Sequence, residues 1–87
     1  MNAAPELILA ARQCAGLFRL GRDVEAASEM VELFTRLMPL FSEEPAKVQQ
    51  KWLLLLTVML AHQEKRDVLG MADYLEFELV ELLGLCP

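Results

Sequence analysis

His62 is the only imidazole in the chain, so proton transfer and metal ligation are sought there first. A helical di-metal centre needs two Glu-x-x-His pairs on facing helices, and a zinc protease needs His-Glu-x-x-His. Neither pattern occurs. The next candidates are four carboxylates, Asp73, Glu76, Glu78 and Glu81. Paired carboxylates do acid–base chemistry when a cleft pushes their pKa values apart. Here they crowd onto one predicted helix without a recognisable partner base. They read as a solvated acidic face or as a docking surface for a basic helix. Cys14 and Cys86 have neither a Cys-x-x-Cys spacing nor a nearby histidine. Two reduced thiols are expected, with a disulfide between the first helix and the C-terminus as the alternative. The four glycines are dispersed, and no phosphate-binding loop is present. The chain is therefore expected not to be an enzyme, with no catalytic, cofactor-binding or metal-ligating residues.

Charge and composition narrow the partners. A net charge of −5 repels phosphate backbones and anionic membrane surfaces, and it suits basic or amphipathic protein segments. Hydrophobic residues make up 55% of 87 residues, above the ordinary 45–50%. One domain of this length (residues 1–87) has little interior, so part of that apolar surface is left for a partner or a second copy. The start Met1-Asn2-Ala3-Ala4-Pro5-Glu6 has no basic region, which speaks against a signal peptide and for a cytoplasmic protein.

The chain is punctuated into helices. The most apolar run, Trp52 to Ala61, is too short to span a membrane, so no membrane insertion is expected. It is apolar nearly all round, which predicts a central helix covered on several sides or one with a face left for a partner. Leu, Ala, Glu, Met, Gln and Arg dominate, and strand signals are scarce. The reading is all-α, with four antiparallel helices at about 5–20, 24–38, 43–64 and 67–83. They form an up-down-up-down bundle or two helical hairpins.

Leu7, Ala11, Cys14 and Phe18 mark the buried stripe of the first helix, and Gly21 its left-handed stop. Asp23 is expected to cap the second. Its seam runs Val24, Ala27, Val31, Phe34, Met38 and Phe41, and Pro39 should end or kink it near Met38. Ser42 is the expected cap of the third helix, with Val48, Trp52, Leu55, Met59 and His62 on one face, broadened by Leu53, Leu56 and Leu60. Asp67 caps the fourth, whose seam is Val68, Met71 or Ala72, Leu75, Leu79 and Leu82. Arg22-Asp23-Val24 recurs as Arg66-Asp67-Val68, compatible with two similar hairpins or with two unrelated capped starts.

Leu54 and Val58 fall beside the polar strip of the third helix, where a lone surface helix would carry charge. Tyr74 and Phe77 interleave with the carboxylates of the fourth, as aromatics do at interface cores. Leu54, Val58, Tyr74, Phe77, Glu78 and Glu81 are thus the candidate partner or dimer interface. The segment Ala72-Asp73-Tyr74-Leu75-Glu76-Phe77-Glu78-Leu79 resembles an Asp-Leu-Leu-Glu-Tyr-Glu-Leu segment of small uncharacterised all-helical bacterial proteins, some near motility genes. The resemblance runs from the turn Lys65-Arg66-Asp67 onward, with Tyr74 in place of Leu and Phe77 in place of Tyr. It implies a bacterial cytoplasmic helical protein without assigned catalysis, and it supplies no site residues. The expected function is a non-enzymatic protein–protein interaction module. It would be a small acidic chaperone or adaptor, of the type that holds an amphipathic helix of a secretion or flagellar client. The alternative is a self-associating homodimeric structural or regulatory domain.

Overall fold

Helix α1 (Ala4–Arg19) is a clean amphipathic helix, and the fold is built round it. Leu7, Ala11, Cys14, Ala15 and Phe18 are all buried. The small residues in this stripe let α2 (Asp23–Ser42) approach closely, so the Cys14 thiol donates to the Ala26 carbonyl at 3.3 Å. α1 packs against α2 on one side and against the last helix on the other, while α3 (Ala46–Glu64) packs against the last helix and more thinly against α2. The last helix has three segments: α4 (Val68–Asp73), a π-helical turn (Tyr74–Glu78) and α5 (Leu79–Leu83). The computed structural model describes residues 4–85; among them there are four helical runs and no strand, an all-α fold. Of the two expected reduced thiols, Cys14 is buried and Cys86 lies outside the described residues, as does the alternative pairing of the two.

Three expectations are corrected. The buried seam of α2 is Ala26, Met30, Leu33, Leu37 and Phe41, whereas Val24, Val31 and Met38 point outward. Both stripes repeat at helical spacing, and only packing against α1 chooses between them. Secondly, α2 does not end at Met38 but runs through Pro39 to Ser42. An interior proline costs about 3 kcal/mol. The turn beyond it carries Phe41, fully buried and stacked on Trp52 with centroids 4.6 Å apart. Burying a Phe contributes about 2–3 kcal/mol, and an aromatic pair adds about 1 more, which offsets the proline. Thirdly, α3 starts at Ala46, with Pro45 at its N-cap position and no side-chain cap. Ser42 belongs to α2 and donates to the Pro39 carbonyl, and Gln49 reaches back to the carbonyls of Ser42 and Glu44 instead.

The two Arg-Asp turns are not equivalent. After α1, Gly21 takes the left-handed conformation (φ 76°), with Gly21 N–H bonding to the Phe18 carbonyl and Arg22 N–H to that of Leu17. After α3, Arg66 takes that conformation (φ 55°), with Arg66 N–H bonding to Gln63 and Asp67 N–H to His62. Both are Schellman stops. Gly21 is therefore matched with Arg66, one residue out of step with the sequence echo. Accordingly Asp67 caps its helix through Gly70 N–H at 2.9 Å, whereas Asp23 is the first residue of α2 and caps nothing.

A groove between α3 and the last helix

Only Trp52, Leu55 and Met59 of α3 are buried. The helix is therefore peripheral, with an apolar flank uncovered on either side of that stripe. On the side of the last helix, Leu54 and Val58 rise beside Leu55, while Tyr74, Glu78, Glu81, Leu82 and Leu85 face them. These residues and Lys51 line an open groove of about 280 Å³. Leu55 and Leu82 form its buried floor, Leu54, Val58, Tyr74 and Leu85 its apolar walls. Glu78 and Glu81 lie exposed on its rim, and neither joins an ion pair among the described residues.

The four carboxylates of the last helix divide into two sets. Asp73 and Glu76 are held by Arg19 of α1, at 2.9 Å for Asp73. These two hydrogen bonds push the guanidinium's pKa above its usual value, and the pair ties the last helix to α1. Glu78 and Glu81 stay free at the groove. The π turn contains one member of each set, Glu76 and Glu78, and is closed by Leu79 N–H bonding to the Tyr74 carbonyl five residues back. Its extra residue moves Phe77 off the register it would share with Tyr74 in a regular α-helix. Phe77 is 61% exposed and lies outside the groove, unlike the other five candidate interface residues. Lys51 and Leu85 also line the groove without having been singled out in the sequence, where Leu55 and Leu82 stood only on packing seams. For Lys51 the signal was spacing, since it stands three residues before Leu54 and seven before Val58.

His62 braces the groove from one end. Its ring lies 5.4 Å from that of Tyr74, and its Nδ1 is 3.0 Å from Asp67 Oδ2. The other Asp67 oxygen accepts from Gly70 N–H. That backbone bond, helped by His62, holds the Asp67 carboxyl below its ordinary pKa. A side chain at Gly70 would come within 2.5 Å of Asp67 Oδ2 and 2.6 Å of His62 Nδ1, so glycine is what allows the cluster to close. The histidine thus positions a turn. Burial, with Glu29 nearby, pushes the Cys14 thiol up to about 11, which makes it inert at neutral pH. Among the described residues no three His, Cys, Asp or Glu side chains group as metal ligands, and no helix is long and apolar enough to cross a membrane. Compared with protein families, curated proteins and solved structures, the chain matches none.

Proposed function

We propose that the groove between α3 and the last helix receives one face of an amphipathic helix from a protein partner. The chain acts without catalysis, as a small acidic chaperone or adaptor. What carries the reading is one juxtaposition: an apolar trough of about 280 Å³ beside two carboxylates that join no ion pair among the described residues. A trough of that size takes roughly two large side chains, spaced three or four residues apart on a docking helix. The free carboxylates select basic residues flanking those anchors, and they raise the rate of encounter more than the final affinity. The two carboxylates already tied to Arg19 keep the last helix in place while the groove is filled.

The test uses a designed helix of leucines and lysines, with binding followed by fluorescence anisotropy at two salt concentrations. Glu78→Lys/Glu81→Lys should weaken binding at least about tenfold at low salt. Glu29→Lys/Glu32→Lys, with the same change of net charge on another part of the surface, should weaken it far less. Equal losses in both double variants would reduce the interaction to net charge and overturn the reading.

A further inference from the structure

We infer that the outer face of the α2–α3 pair is a two-fold interface with a second copy of this chain. It lies on the flank of α3 opposite the groove and stands on different residues, so it does not depend on the groove's function.

Trp52 marks where α2 and α3 meet. It packs edge-on against Phe34 at 5.6 Å and face-on against Phe41 at 4.6 Å. Going round α2 past Phe34, away from buried Leu37, come Met38, Val31 and Val24 at roughly 40°, 60° and 80°. Going round α3 past Trp52, away from buried Leu55, come Leu56, Leu60 and Leu53 at roughly 40°, 80° and 100°. The two stripes therefore turn outward onto one surface. Val24, Val31, Met38, Leu53 and Leu60 are between 55% and 86% exposed. Together they leave on the order of 500 Å² of apolar side chain open, near the upper end for one patch on a monomer. Half-buried Phe34 and Leu56 bring the face to roughly 600 Å², below the ~800 Å² that each partner gives to a standard interface and in keeping with a dimer that dissociates on dilution.

Three features choose a second copy as the occupant. Val24, Val31 and Met38 recur every seven residues, with Ala27 and Phe34 between them. That is the seam of a helix that pairs with another helix of the same repeat. On α2 the face is bordered by uncharged Ser28 and Thr35, and on α3 by Thr57 with one carboxylate, Glu64, at the end of the helix. Glu25, Glu29 and Glu32 fall on the other side of α2, where Arg36 reaches Glu6 of α1. A basic partner finds a single carboxylate here, Glu64 at one end, against two at the groove, so a second acidic copy meets little repulsion. Finally, the bordering hydroxyls are satisfied within their own helices. Thr35 donates to the Val31 carbonyl at 2.8 Å and Thr57 to that of Leu53 at 2.9 Å. Covering them strands no donor. An interface that presents the same patch from both subunits closes on itself as a dimer.

Light scattering behind size exclusion, backed by sedimentation velocity from about 1 to 300 µM, reads the result. Wild type should be a dimer that dissociates on dilution. Val31→Glu, and independently Leu53→Glu, should raise the dimer dissociation constant at least about 100-fold, since each buries an unpaired charge. Far-UV circular dichroism should stay unchanged, because both side chains are exposed in the monomer. Leu54→Glu, on the groove flank, should leave the dimer intact. A wild type that is monomeric throughout would overturn the interface, as would dimers that persist in both variants. So would equal weakening by Leu54→Glu, which would move the contact to the groove.

Discussion

The two flanks of α3 are alike in hydrophobicity and unlike in their borders. Toward the last helix, Leu54 and Val58 look across a trough at Glu78 and Glu81, two carboxylates without ion partners among the described residues. Toward α2, Leu53, Leu56 and Leu60 join Val24, Val31 and Met38 in a face bordered by hydroxyls that are satisfied internally, with one carboxylate, Glu64, at its end. The lesson is that apolar surplus alone does not say what covers it. Charge at the border does, because it decides which partner can approach without leaving a charge buried and unpaired. A trough edged by two carboxylates suits a basic amphipathic helix, and a face with a single carboxylate at one end suits a copy of itself.

The sharpest way to break this comparison is to show that α3 has no real division between core and flank. Leu55, buried as the groove's floor, should cost about 2–5 kcal/mol when changed to alanine. Leu53→Ala and Leu54→Ala should each stay within about 0.5 kcal/mol for the monomer. Urea unfolding at low protein concentration reads all three. A Leu54→Ala loss as large as that of Leu55→Ala would mean the flank belongs to the core.

A smaller effect separates the groove flank from the other. Gly→Ala inside a helix ordinarily stabilises by about 1 kcal/mol. Gly70→Ala should instead destabilise by about 1–2 kcal/mol, because the new methyl displaces His62 and the Asp67 cap. It should also move Tyr74, and so weaken helix binding, while leaving self-association unchanged. The same cap gives an acid signature. Asp67 has its carboxyl pKa lowered from 3.8 in the folded chain. Its contribution is therefore complete above 3.8 and is lost as pH falls through the lower folded value. Asp67→Asn should flatten the stability-against-pH curve in that window. Smallest is Arg66→Gly, which relieves a left-handed non-glycine residue at the stop of α3. The strain of about 1–2 kcal/mol is partly offset by glycine's greater freedom when unfolded. A net gain of about 0.5–1 kcal/mol is expected, seen as a few degrees in melting temperature.

α1 was legible because its small and large apolar residues form a single stripe with arginines off it, and Gly21 marks its end. α2 was not, since Val24–Val31–Met38 and Met30–Leu33–Leu37 are both regular helical stripes. Sequence periodicity carries no information about which one α1 will cover. Pro39 misled for a related reason: its local cost is visible in sequence, but the Phe41–Trp52 stack that offsets it is a contact between distant residues. On α3 the odd position of Leu54 and Val58 was readable, and so were the free acids opposite. The π turn that contains Phe77 was not, because Leu75, Leu79 and Leu82 keep ordinary helical spacing across it. The Arg-Asp-Val echo was real as letters and false as register, since the left-handed stop falls on Gly21 in one turn and on Arg66 in the other.

The most direct measurement is methyl NMR of wild type under two separate perturbations: dilution, and titration with the leucine–lysine helix. Dilution should move Val24, Val31, Leu53 and Leu60, and leave Leu54, Val58 and Leu85 in place. The helix should do the reverse. Two distinct sets would establish that α3 separates two docking faces. A single set responding to both, or a dilution effect centred on Leu54 and Val58, would contradict the account.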